Sequence, residues 1–169
     1  LEVQIRDKSI IVSANKELDL LTSEGENLAR PLQRIVRDIM WKHCGVVRSG
    51  EGLSTGLKKL KEVKVASMDV DVRPSAEGYI DLALALDLLG SIESAEATIK
   101  SALQREESRG AHQRVDYPEL SEKEVVNYLI EMENGQQKIS TRKVKNVRSE
   151  LVKPLSRFSE LGVNGRLLE

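Results

Sequence analysis

The sequence predicts a mainly α-helical protein: an antiparallel, up-down-up three-helix bundle with a β-hairpin appended at its C-terminal end. Three observations carry that expectation. Apolar residues recur at three- and four-residue steps in three successive segments between residues 28 and 108. Aromatic residues make up only 3% of the chain, so the core must be aliphatic, which suits helices packed on helices. After Pro118 the periodicity changes, and an Asn134-Gly135 pair stands between two apolar runs, the strongest short hairpin signal.

Residues 1–27 read as a lead-in and linker. A short apolar run at 10–14 forms a strand or short helix, followed by Glu17, Asp19, Glu24 and Glu26. From residue 28, Leu28, Leu32, Ile35, Ile39 and Val46 mark one face of a first helix, with Asn27 as N-cap and Pro31 in the first turn. Gly45 or "SGEG" (49–52) ends it. Leu53, Leu57, Leu60 and Val63 mark a second helix; Pro74 then breaks the chain and Ser75 caps the next element. The third helix is expected over 76–108. Its seam is Leu88, Ile92, Ala95, Ile99 and Ala102, widened by Leu82, Leu84, Leu86 and Leu89, and Gly110 stops it. Helices joined by short loops in this way predict a bundle over 28–118 in the manner of a spectrin repeat. The tail, 119–169, holds the hairpin at 126–144, where a two-residue turn places Glu131 opposite Lys138 and Ile130 opposite Ile139.

Composition narrows the function. The chain has 169 residues, 40% hydrophobic and 31% charged, enough for one domain with an appendage. A net charge of −1 and few aromatics argue against nucleic acid as a partner. Cys44 is the single cysteine, which points to a reducing, cytoplasmic compartment. No apolar run approaches the roughly 20 residues of a membrane span. The segment 138–157 carries seven cations against Glu150 alone, and reads as a solvated face or a docking surface for an acidic neighbour. The chain opens on Leu1 and is expected to be a piece of a longer polypeptide.

Two stretches imitate binding motifs. "GEGLSTGLKK" (50–59) has the glycines of a phosphate loop, but Thr55 stands where a dinucleotide fingerprint needs glycine, and no Gly-Lys-Ser/Thr follows. It is expected as an interhelical turn. His43 and Cys44 are neighbours pointing roughly 100° apart on a helix, too divergent to chelate one metal, so no metal site is expected.

The polar stretch "ESRGAHQRVDYP" (107–118) holds the candidate site residues Glu107, Ser108, Arg109, His112, Arg114 and Asp116. As structure, they satisfy a helix C-terminus, with Arg109 placed where a cation suits the dipole. As function, Arg109, His112 and Arg114 bind a carboxylate or phosphate, which guanidinium forks match. The residue types leave both readings open.

"REESRGAHQRVDYPE" (105–119), "AEATIKSALQREESRGAH" (95–112) and the Met40–Leu53 run with its central "VVR" resemble flavoproteins of the succinate dehydrogenase/fumarate reductase family, which includes L-aspartate oxidase. The resemblance covers roughly 28–119. It implies a C-terminal helical domain, separate from the flavin-binding and capping domains that carry FAD and the chemistry. No catalytic or cofactor-binding residue is therefore carried over, and the chain alone is expected to be inactive. The matched residues Glu107 to His112 imply docking against the flavin domain, with anion binding as the alternative. FAD is implied for the full-length protein only. Implied partners are the flavin-binding and capping domains of the same chain and an iron–sulfur subunit that holds the enzyme at the inner face of a membrane. Self-association is expected where the absent domains leave an apolar strip exposed. The rival readings are an L-aspartate oxidase C-terminal domain and a free-standing helical interaction module.

Overall fold

The structure, a computed structural model, describes residues 8–21, 24–73, 80–121 and 125–145. Within the lead-in, Lys8–Leu21 forms α1, with Ile10, Ile11 and Val12 exposed. Asn27 does not cap the next helix. Its N–H donates to Asp69 O at 3.0 Å and its carbonyl accepts from Asp71 N–H at 2.7 Å, a parallel bridge to Val70 that occupies its backbone. Leu28 is the N-cap of α2 (Ala29–His43) and makes no side-chain capping bond. Pro31 falls in the first turn, where a missing N–H leaves no helical bond unmade.

The face of α2 that enters the core is Ala29, Leu32, Val36 and Ile39. The expected stripe through Leu28, Ile35 and Val46 is 59%, 45% and 60% exposed at those residues. Ile35 and Val36 are adjacent and both apolar, so spacing from Leu32 alone allows either. Ala29, seven residues before Val36, shares its side and tips the helix that way. Val46 lies past the helix end.

β1 (Val47–Arg48) leads into α3 (Gly50–Ala66). The stretch 50–59, expected as a turn, is helical throughout. Ser49 makes this happen: its Oγ accepts from Gly52 N–H at 3.0 Å, a cap that contributes about 1 kcal/mol. The glycines have a packing use as well. A Cβ on Gly56 would stand 2.9 Å from His43 Cβ and 3.2 Å from Ile99 Cδ1, so its absence lets α3 close on its neighbours. A single 3-10 turn (Ser67–Asp69) follows, after which Val70 and Val72 are buried. Pro74 and Ser75, the expected breaker and cap, lie outside the described residues.

α4 runs Ile80–Gln104, and residues 76–79 lie outside the described residues. All five seam residues, Leu88, Ile92, Ala95, Ile99 and Ala102, are buried. Leu82 and Leu84 pack against the core, but Leu86 is 46% exposed, so the early widening is narrower than its leucines predict. The helix stops at Gln104 rather than Ser108, because the backbone beyond finds other partners: Ser108 N–H donates to Glu119 O at 3.0 Å. Gly110 does not stop it; its φ of +57° serves a later turn. α2, α3 and α4 pack on one another pairwise. Leu53, Leu60, Leu88, Ile92 and Ile99 are fully buried among them, each contributing about 1.5–3 kcal/mol.

The chain divides into two compact units. The first holds the helices and the hairpin tip, Ile130–Ile139; the second holds the hairpin base. β3 (Val126–Glu133) and β4 (Gln136–Lys143) are joined through Asn134 and Gly135 at φ 52° and 74°, the left-handed pair that a two-residue turn needs. Lys138 makes an ion pair with Glu133 at 2.8 Å, a solvent-exposed contact of little energetic weight. In the first unit, Gln137 Nε2 donates to Glu93 O of α4 at 2.8 Å. Among the described residues no helix is long and apolar enough to cross a membrane.

Candidate functional site

Past Gln104 the chain doubles back twice. Arg109 and His112 exchange backbone hydrogen bonds of 2.8 and 3.0 Å around Gly110, whose positive φ makes the turn feasible. β2 (Gln113–Arg114) then lies parallel to β1, with Val47 opposite Gln113 and Arg48 opposite Arg114. This pairing brings a segment before α3 against a segment after α4.

Arg114 is the centre of the resulting junction and is 3% exposed. Its Nη1 donates to Ala102 O (2.8 Å) and Arg105 O (3.2 Å), carbonyls that the end of α4 leaves without helical partners. Its Nε and Nη2 each reach an oxygen of Asp116 at 2.7 Å, a bidentate fork. Asp116 Oδ2 in turn accepts from Gly50 N–H at 2.9 Å. One ion pair therefore places a cation at the C-terminus of α4 and an anion at the N-terminus of α3, the favourable sign at both ends. The Tyr117 ring lies 4.9 Å from the guanidinium carbon and adds a cation–π contact. The hydrogen bond from Arg114 holds the Asp116 carboxyl well below the usual carboxylate range, and Asp116 raises the pKa of Arg114.

Arg109, expected to serve the helix dipole, instead pairs with Glu107 at 3.0 Å. Glu107 is buried and also takes Arg105 Nη1 at 2.5 Å and Ser121 N–H at 3.2 Å. Burial opposes its ionisation, but the bonds from Arg109, Arg105 and Ser121 outweigh burial and lower its pKa. Ser108, also buried, accepts from Arg114 N–H at 2.8 Å and donates to Tyr117 O at 2.8 Å.

His112 is held at both nitrogens. Nε2 faces Arg105 O at 3.2 Å, an acceptor, so Nε2 carries the proton; Nδ1 then accepts from Arg48 Nη1 at 2.7 Å. The ring is the neutral Nε2–H tautomer. Burial lowers its pKa most, the Arg105 carbonyl opposes this, and the nearby cations Arg48, Arg114 and Arg105 lower it further.

The structure thus gathers all six candidates into one network. Sequence reasoning missed Arg48, Gly50, Arg105, Tyr117 and Ser121, which complete it. Arg48 had a signal, since it closes the "VVR" of the Met40–Leu53 run; Gly50 and Ser121 contribute only backbone and had none. Both forks, on Arg109 and Arg114, are filled by carboxylates of the same chain.

The family model described as "Fumarate reductase flavoprotein C-term" matches residues 33–158. This chain belongs to the fumarate reductase flavoprotein C-terminal family. Its relatives include the L-aspartate oxidase of Pyrococcus furiosus, 46% identical over 83 residues, which is 49% of this chain and 13% of that protein. The succinate dehydrogenase flavoprotein subunit of Rickettsia bellii is 32% identical over 109 residues, 64% of this chain and 18% of that one. Among solved structures, an E. coli quinol fumarate reductase chain superposes with a TM-score of 0.79 at 22% identity, over 87% of this chain and 26% of that chain. The chain therefore spans less than a third of each of these three proteins, and the last likeness shows the fold alone.

The family is one of flavoproteins, and among the described residues the glycine-rich stretch is not shaped as a phosphate cradle. The glycine-rich stretch lies in α3, and the amides of Gly50 and Gly52 are taken by Asp116 and Ser49. Cys44 is buried, and burial pushes its thiol pKa up, away from a reactive thiolate. Among the described residues no cluster of His, Cys, Asp and Glu has the arrangement of a metal site.

Proposed function

We propose that this chain is the helical domain that supports the flavin-binding and capping domains of an FAD-dependent oxidoreductase acting on a succinate- or fumarate-like dicarboxylate, and that it does no chemistry alone. In this reading α2, α3 and α4 are an antiparallel, up-down-up bundle occupying 28–118, residues 1–27 lead into it, and 119–169 form the tail. The pairwise packing of the three helices and the brief connection between α2 and α3 support that arrangement.

The observation that carries the proposal is the inward commitment of the 107–116 network. Its charges are used to fasten α3, α4 and β1 together, which leaves an outer rim with Val115 (63% exposed), Tyr117 (38%) and Leu120 (49%). Apolar side chains presented on this rim form a docking surface for the flavin domain, and Glu107, Ser108, Arg109, His112, Arg114 and Asp116 are positioning residues beneath it. The filled forks count against the alternative of direct anion binding.

The test is Val115→Asp in the full-length flavoprotein. Weakened flavin retention and a lower melting temperature are expected, with the isolated chain's stability unchanged; wild-type flavin retention in the variant would refute the docking role. The isolated chain purified with the visible absorption of an oxidised flavin would refute the division of labour. The 46% identity to an L-aspartate oxidase supports that activity as a second reading. Assays of the full-length enzyme with succinate and with L-aspartate separate the two. An iron–sulfur partner subunit and a cytoplasmic position at the inner face of a membrane belong to the first reading, and co-purification with such a subunit checks both. Exposed Ile10, Ile11, Val12 and Trp41 support self-association of the isolated chain, measured as a concentration-dependent mass in sedimentation.

A further inference from the structure

We propose that the cleft between α2 and α4 docks an acidic, apolar-faced helical segment of a partner polypeptide. This surface shares no residue with the junction at the end of α4, so the inference stands or falls separately from the docking role given to the rim.

The cleft has a volume of about 900 Å³ and is lined on one side by Arg30, Arg34 and Arg37 of α2 and on the other by Leu84, Leu86 and Gly90 of α4. The three arginines lie at i, i+4 and i+7 and so share a helix face. Among the described residues none of the three has an ionic or hydrogen-bond partner, whereas Arg48, Arg105, Arg109 and Arg114 are all engaged. Asp87 is the one carboxylate on the lining, so positive charge predominates. Like charges one turn apart repel by a few tenths of a kcal/mol, and Arg30 sits in a first turn that holds no acidic residue to offset it. Among the described residues no carboxylate pairs with the row, and carboxylates placed against it relieve the repulsion.

The row sets the shape of the partner. Seven residues of helix rise about 10.5 Å, so a second helix with carboxylates at i, i+4 and i+7 meets the guanidinium groups one for one. Its next face then covers Leu84 and the half-exposed Leu86. Trp41 continues the same face one turn beyond Arg37 and is 85% exposed. Arginine and tryptophan together are the residue types that dominate protein interfaces. The apolar wall and the scarcity of aromatics argue against a nucleic acid strand.

The test titrates this 169-residue chain into a fluorescein-labelled synthetic helix of about 15 residues, with glutamates at i, i+4 and i+7 and leucines on the adjoining face. A saturating rise in anisotropy is expected. The triple variant R30E/R34E/R37E, confirmed as folded by circular dichroism, weakens binding by roughly tenfold or more. An isomeric peptide with its glutamates dispersed around the helix loses affinity to a similar degree. The K58E/K61E variant, altered on the exposed side of α3, binds as the wild type does. The proposal is overturned by the absence of saturation, by equal binding of the two peptides, by a triple variant that binds like wild type, or by a short DNA duplex that binds the arginine row more tightly than the peptide.

Discussion

Arg114 and Asp116 meet through two parallel hydrogen bonds of 2.7 Å, and between them they close the end of one long helix and the start of another. Only Val115 stands between them in sequence and both lie outside the helices, yet each answers an unsatisfied helix terminus. The pair is largely enclosed on the Arg114 side and open on the Asp116 side, at 3% and 37% exposure.

Removing the enclosed partner takes away contacts to the end of α4 as well as to Asp116. Arg114→Ala leaves the carbonyl of Ala102 without its donor and takes the fork from the half-exposed Asp116, and is expected to lower stability by about 1–3 kcal/mol. Arg114→Lys restores the charge without the fork and recovers part of the loss. Urea unfolding reads both, and an unchanged midpoint for Arg114→Ala would sink the assignment.

His112 makes stability depend on pH. Its folded pKa lies below that of the unfolded chain, so the unfolded state binds more protons between the two values. The contribution is complete above roughly pH 6.5 and is lost as pH falls through the lowered value. His112→Gln should flatten the stability profile across that window. His43, also lowered by burial and by the nearby Lys59 and Lys42, leaves a residual slope that His43→Gln removes. The depressed carboxyls of Glu107 and Asp116 act in the same direction further into acid. A profile for His112→Gln that parallels wild type would contradict the neutral tautomer.

Two helical glycines should respond oppositely to alanine. At Gly90 of α4 a Cβ meets open space, so Gly90→Ala gains about 0.5–1 kcal/mol from helix propensity. At Gly56 the same change forces the contacts to His43 and Ile99 apart, and overpacking of this kind costs about 1–3 kcal/mol. Thermal melts of the two variants shifting in the same direction would contradict the close approach at Gly56.

Cys44 is expected to resist modification in the folded chain. At 7% exposure with a raised thiol pKa, it should react with a thiol-specific disulfide reagent only as the surrounding structure opens. A labelling rate that rises with urea in step with unfolding supports this; rapid labelling of the native chain does not.

The legible parts of the fold were those where periodicity left one choice. The seam from Leu88 to Ala102 repeats by four and three with polar residues between, and every member is buried. On α2 the adjacent Ile35 and Val36 left the face undetermined by a residue, and the packing of Ala29 decided it. The glycines at 50–56 concealed a helix, because a capping serine and a close helix approach carry no periodic signal. In the site, the polar cluster at 107–116 was visible as a cluster, but its wiring was not. Arg109 lay nearer in sequence to the helix end, whereas the turn at Gly110 folds Arg114 back onto the carbonyls instead. Arg48 comes from a part of the chain that only the β1–β2 pairing brings near.

That pairing has a kinetic consequence. Val47–Arg48 and Gln113–Arg114 lie side by side although α3 and α4 both intervene, so the clasp can shut only after the enclosed helices have collapsed. It then acts as a late-closing latch: weakening it shortens the lifetime of the native state and leaves the speed of its formation alone. In a stopped-flow chevron, Arg48→Ala should raise the unfolding arm by itself, and a depressed folding arm would mean that the latch shuts early.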